Sequence, residues 1–336
     1  MDALIRKVLD VFRINYKDDS VSLVNEKYNS FPISPNNFHS IEKVESSRKL
    51  IFVDGGNAEL FNSGNCCVHK LRVYASVFDI NNNRVHSERR EFYVLAYAVG
   101  NHNISYNVVS FPNFLGFKID SLNKELMEGN NRIRVSRMVD VFRRFSELKI
   151  ATEFCEKFEH SLVVLDGTLK SNFPGETKFL EELYKTGLEK DCVISALSKT
   201  SSLLTKKGYS LNYLLMRISP MDEWYYYPIA KISDNKHLAE ISVVKLNKNS
   251  KYAFRFEIFN KQASFLNEVL WLLKNNSSDV CFPGYPYGLI DADRFARVSN
   301  EEKNTLKTLF LSKLPKDVVL GLSVSDAHDI LNKIIK

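Results

Sequence analysis

Two aspartates in this 336-residue chain stand where a carboxylate can meet a metal ion. Asp54 follows an apolar run in IFVDGGNAELF (51–61), and Asp166 follows another in SLVVLDGTL (161–169). Each precedes a glycine, and Asp-Gly by itself is turn chemistry, because both residues accept the backbone angles a turn needs. If the two strands are neighbours, however, both carboxylates lie at one edge of a sheet, where loops of an open α/β fold converge on ligands. Adjacent carboxylates repel, so they call for a shared proton or a cation. Hard divalent ions such as Mg2+ and Mn2+ prefer such oxygen donors.

Several elements must hold those strands in place. KLIFVDGG reads as a short strand, and CCVHKLRVYASVFDI and RVHSERREFYVLAYAVG flank the turn NNN, which gives three consecutive antiparallel strands. A loop containing FPNFLG follows. Beyond it, residues 123–158 read as one long helical stretch, in which Val139, Phe142, Phe145, Leu148 and Ala151 recur every three residues and Ile150 and Phe154 widen the stripe. SLVVLDGTL then reads as a buried strand, GETKFLEELYKTG as a helix and DCVISALSKTS as a further strand. This order fits an α/β fold in which an antiparallel meander continues into parallel strands through helical crossovers. The segment from His237 to Asn260 reads as a hairpin that extends the sheet, with Tyr252, Phe254, Phe256 and Ile258 alternating with Ala253, Arg255 and Glu257. A helix near 261–274 follows, and SDAHDILNKIIK reads as a terminal helix capped by Ser325 or Asp326. At the other end, Leu4, Ile5, Val8, Leu9 and Phe12 form an apolar helical stripe, for which packing on the chain's own core is the commoner fate and docking on a partner the alternative. Residues 16–48, broken by FPISPNN, read as a meandering connection.

Composition removes several function classes. With 44% hydrophobic and 26% charged residues, and no run near the roughly 18 apolar residues that span a bilayer, membrane embedding is not expected. The opening MDALIRKVLDVFRINY has no secretory pattern, so a cytoplasmic location is expected. Five scattered cysteines lack zinc spacing and read as reduced thiols. A net charge of +6 suits a polyanionic partner but does not require one.

Five stretches in order carry a family resemblance: VDGGNAE (53–59), RRFSELKIA (143–151), VVLDGTL (163–169), ALSKTS (196–201) and GYPYGLIDADRFARVS (284–299). Over about residues 48–300 the chain resembles the NurA nuclease family, whose fold is ribonuclease H-like. The resemblance implies an N-terminal helix and arm (1–47), a nuclease domain (48–300) and a C-terminal helical extension (301–336). It also implies a deoxyribonuclease dependent on Mn2+ or Mg2+, with two ions, working as a ring-like homodimer beside a HerA-type hexameric translocase in DNA end resection and double-strand break repair. Position by position, Asp54 matches the family's first metal-binding acid, Asp166 the acid of the second Asp-Gly strand, Glu147 the acid of the helix between them and Tyr285 the family's tyrosine. Asp293 falls where members with a well-described site carry histidine, and Asp291 is its rival for the same role.

In that setting the acids read as metal ligands. Lys199 could reach a phosphate, and Tyr285 reads as orienting water, stacking on a base or packing among prolines. Arg132, Arg134, Arg137, Arg143 and Arg144 read as a cluster that tracks a DNA backbone. Two other classes compete. A phosphotransferase of the actin and sugar-kinase type would also use Asp-Gly loops, but no glycine-rich adenosine loop is found in the second half. A non-catalytic DNA clamp would keep the basic surface while the acids serve as turns.

Overall fold

The computed structural model describes residues 1–12, 17, 19–23, 26–100, 102–127, 129–316 and 318–319. In chain order the elements begin with α1 (Asp2–Val11), β1 (Val21–Ser22), β2 (Tyr28–Ser30) and β3 (Phe38–His39). Next come β4 (Lys49–Asn62), β5 (Cys66–Phe78), β6 (Arg84–Val99), β7 (Ser105–Phe111), β8 (Phe117–Asp120), α2 (Arg137–Lys157), β9 (Ser161–Asp166), α3 (Glu176–Glu189) and β10 (Val193–Ser198). The remainder is β11 (Leu204–Thr205), α4 (Leu211–Ile218), β12 (Trp224–Tyr226), β13 (Ala230–Ile232), β14 (Ala239–Lys245), β15 (Phe254–Phe259), α5 (Leu266–Asn275), α6 (Tyr287–Ala296) and α7 (Asn300–Ser312).

The chain divides into two units. One comprises Met1–Ser47, Asp166–Lys170 and Val193–Tyr287; the other comprises Arg48–Leu165, Ser171–Cys192 and Gly288–Lys336. In the second unit the strands lie in the order β9-β4-β5-β6-β7-β8. The pairs from β4 to β8 are antiparallel, and β9 runs parallel to β4. This is the mixed α/β architecture that the sequence predicts, a meander joined by a parallel strand. The stripe of Val139, Phe142, Phe145, Leu148, Ala151, Ile150 and Phe154 on α2 is buried throughout, and with Ile51, Phe52 and Val53 of β4 it belongs to the core. At the far end of β4, α7 packs Phe310 on Phe61, with ring centroids 5.2 Å apart.

In the first unit the strands lie in the order β3-β12-β14-β15-β10, and the β14–β15 hairpin adds to β10 as expected. Trp224, Tyr226, Leu211, Leu214, Leu215, Ile241 and Val243 form its apolar cluster.

Four expectations change. β4 does not stop at Asp54: its ladder with β5 continues through Asp54, Gly55 and Gly56 to Asn62, so the first Asp-Gly is strand and not turn. The described residues of the expected helix before α2 are not helical, because Gly129 sits at φ +64 and the asparagines that follow it are weak helix formers. The loop expected near FPNFLG contains β7 and β8, whose alternation is short and interrupted by Pro112. None of the residues of α1 is buried, so its stripe does not enter the chain's own core; Phe12 meets only the edge of Tyr213 among the ring contacts described. The terminal helix expected at Ser325 or Asp326 lies outside the described residues.

Candidate metal centre

Strand register sets the first two acids. β4 and β9 are parallel with Val53 opposite Leu165. The next residue on each strand is an aspartate, so Asp54 and Asp166 emerge side by side. Asp166 is the last residue of β9, and its position follows from the strand that precedes it.

A helix brings the third. Gly288 of α6 lies against Phe52 of β4, and a Cβ there would fall 2.0 Å from a ring carbon, so only glycine permits this approach. Further along the same helix is Asp293. One carboxylate oxygen from each of Asp54, Asp166 and Asp293 can be chosen so that all lie within 4.8 Å of one another; Asp54 is buried, Asp166 half-buried and Asp293 exposed. Opposite ligands of an octahedral Mg2+ stand about 4.2 Å apart, so small side-chain rotations bring these oxygens onto one ion. Three carboxylates this close repel one another, and a divalent cation relieves that repulsion. The donor set therefore fits a hard divalent ion.

Asp291 goes elsewhere. It is two residues from Asp293, about 200° around the helix, and it is buried. It accepts hydrogen bonds from Arg84 Nη1 at 3.0 Å and from the Tyr74 hydroxyl at 3.3 Å. Its charge raises the pKa of Arg84. Of the two rivals, then, Asp293 joins the aspartate cluster and Asp291 braces α6 against β5 and β6.

Glu147 approaches from α2. A Cβ on Gly55 would stand 2.5 Å from Glu147 Oε1, so the missing side chain leaves room for this carboxylate beside Asp54. Asp54 Oδ1 in turn accepts the Gly55 N–H at 2.8 Å. Glu147 is nevertheless not one of the three residues of the close cluster. Arg143 donates to the Gly55 carbonyl at 2.9 Å and stands 3.5 Å from Glu147. Arg144 lies 3.8 Å from Glu147 and donates to the fully buried Glu176 at 2.7 Å. Burial works against the charge on Arg144, but Glu176 and Glu147 outweigh it and raise its pKa. With a side chain only 11% exposed, Arg144 is a counter-ion to Glu176 and Glu147. Arg132, Arg134 and Arg137 line a separate cavity at the start of α2.

The segment after Asp166 is pinned in the first unit. Lys199 Nζ pairs with Asp166 at 2.9 Å and lies 5.7 Å from the centroid of the Tyr285 ring. Tyr285 is completely buried and stacks on Phe282 at 5.2 Å, so packing, rather than stacking on a base, is what its ring does. The Gly167 carbonyl accepts from Ser198 Oγ at 2.6 Å, and Leu169 N–H donates to Glu257 Oε2 at 2.7 Å. Glu257 is fully buried between Arg255 at 2.5 Å and His237 at 2.9 Å. Burial would raise its pKa, but Arg255 and His237 overcome this and bring it to about 2. The alternating pattern of β15 assigns Glu257 to a polar face; both faces of that strand are buried, so the acid is an internal anchor that alternation could not reveal.

The family described as NurA domain matches residues 48–298. Among solved structures, the NurA nuclease of Sulfolobus solfataricus is similar, with a TM-score of 0.52 and 15% identity over 84% of this chain and 89% of that one. Endonuclease V of Ciona intestinalis, solved with inosine-containing DNA, has a TM-score of 0.37 and 11% identity over 78% of this chain and 87% of its own. An Argonaute from Aquifex aeolicus has a TM-score of 0.35 and 10% identity over 75% of this chain and 28% of its own. No curated protein matches.

Proposed function

The chain belongs to the NurA family, and from that premise we propose that it is a deoxyribonuclease that hydrolyses phosphodiester bonds with two Mn2+ or Mg2+ ions. The observation that carries this reading is the convergence of Asp54, Asp166 and Asp293 within 4.8 Å. Such ions, when bound, neutralise the phosphate oxygens and activate water at neutral pH. The protein's part is to hold and orient. Asp54 and Asp166 offer oxygens from adjacent strands, Asp293 closes the set from α6, and Glu147 reaches over Gly55 under the control of Arg143 and Arg144. Lys199, paired with Asp166 and exposed enough to meet a strand, takes a non-bridging phosphate oxygen. Tyr285 supports Lys199 from behind.

The same premise supports a homodimer that works with a HerA-type hexameric translocase in DNA end resection. The test is cleavage of labelled linear DNA by the purified full chain. Products that form with Mn2+ or Mg2+ and disappear with EDTA are expected. A folded protein that cuts neither single- nor double-stranded DNA with any divalent ion would overturn the reading. Co-purification with the translocase, measured separately, checks the partnership.

A further inference from the structure

At the start of α2 lies a cavity of about 380 Å³ whose walls include Asn131, Arg132, Arg134, Ser136, Arg137 and Asp140. Three guanidinium groups face a single described carboxylate there, and that carboxylate is already engaged: Arg137 donates to Asp140 at 2.9 Å. Arg132 donates to the Ser121 hydroxyl, a neutral acceptor. Arg134 is exposed and has no carboxylate partner among the described residues. The concavity thus carries an excess of positive charge, and guanidinium groups are the side chains suited to planar, multidentate recognition of phosphate.

The backbone narrows how an anion is held. The N–H groups of Arg137, Met138 and Val139 are bonded to the carbonyls of Arg134, Val135 and Ser136. An anion is therefore gripped by side chains and not by the helix end. The Ser136 hydroxyl makes no capping bond and remains available to it.

The cavity also has a direction. Arg137, Asp140, Arg144 and Glu147 recur at spacings of three and four, which is one face of α2. Glu147 lies ten residues from Arg137, about 15 Å along the helix. That length corresponds to about four nucleotides of a duplex-like strand. We propose that this cavity is a second phosphate-binding site, seating a nucleic-acid phosphate about four nucleotides from the bond held at the aspartate cluster. Only that spacing rests on the nuclease reading; the cavity's preference for phosphate does not.

The experiment measures binding of 3′-labelled oligonucleotides to the full chain in EDTA, with a 5′-phosphate or a 5′-hydroxyl, across a salt series. The variants are Arg134→Ala, Arg132→Ala/Arg134→Ala and the control Lys185→Ala, which removes one charge from a side chain 76% exposed. Arg134→Ala should weaken binding about 5- to 10-fold and lower the salt slope by about 0.7–0.9, with unchanged melting, while Lys185→Ala leaves both intact. A wild-type preference for the 5′-phosphate that vanishes in the variants identifies a terminal phosphate. Equal losses on both oligonucleotides identify an internal one. Wild-type affinity and slope in the double variant, or an equal loss in Lys185→Ala, would overturn the site. If the wild type binds as described yet never cuts DNA with Mn2+, the phosphate site stands and the nuclease reading falls.

Discussion

The three aspartates differ in what else depends on them. Asp54 is buried in the middle of β4 with two other carboxylates within 4.8 Å, so Asp54→Asn lessens their mutual repulsion while removing a metal ligand. We expect Mn2+-dependent cleavage to fall by roughly 100-fold or more, and Mn2+ to raise the melting temperature of the wild type but not of the variant. Melting curves with and without Mn2+ check both halves; full activity in the folded variant would reject the assignment. The pair on α6 separates metal binding from bracing. Asp293→Ala should reduce metal affinity and leave metal-free stability nearly intact, because this side chain is exposed. Asp291→Ala should do the reverse: it leaves Arg84 and Tyr74 without their shared acceptor, at about 1–2 kcal/mol in urea denaturation, with little change in metal response. Exchange of those two phenotypes would mean that the rival acid is the ligand.

Elements convert these side chains into a site, and their junctions are the sensitive points. Gly288→Ala puts a methyl group into the ring of Phe52, so α6 must retreat from β4 and carry Asp293 with it. A cost of about 1–3 kcal/mol is expected, together with weaker metal binding than stability alone explains. Isothermal titration with Mn2+ on the folded variant would reveal that excess, and wild-type affinity would refute it. Glu257 gives the pH dependence. Its folded pKa of about 2 lies below the ordinary value of 4.5, so its contribution is complete above about pH 4.5 and disappears as pH falls toward 2. Glu257→Gln should lose about 3 kcal/mol at pH 7, and the gap to wild type should narrow steadily between pH 4.5 and 2. A gap that stays constant with pH would show that the charge is not the anchor. These elements also explain what could be read in the sequence. The α2 stripe was legible because one apolar face recurs at helical spacing, and β4, β5, β6 and β9 because their residues are β-branched and aromatic. The Asp-Gly of β4 was not, since local preference says turn while long-range pairing and the space claimed by Glu147 say strand. Arg144 and Glu257 share one physical limit on legibility: sequence shows a charge, and only packing shows whether it faces water or a buried counter-charge.

At the scale of the whole molecule, the described residues include no helix long and apolar enough to cross a membrane. They do include an amphipathic one without a buried residue. α1 has ten residues, and Leu4, Val8 and Leu9 are 62%, 45% and 60% exposed. A helix of that length is marginal alone in water, because nucleation costs more than a few turns return. Its apolar stripe is stabilised when a surface covers it, and the homodimer proposed above would supply a second copy of the same stripe, able to pair with itself about a two-fold axis. Leu9→Asp then places a charge at that contact, at a cost of several kcal/mol, while leaving the two units untouched because Leu9 belongs to neither core. The expected outcome is a twofold drop in mass by light scattering at micromolar concentration, with an unchanged unfolding midpoint extrapolated to low concentration. Leu9→Met, which keeps the apolar surface, should retain the wild-type mass. A Leu9→Asp protein that remains dimeric would remove α1 from the self-association surface and leave its stripe for the translocase, a possibility then tested by co-purification of the same variant.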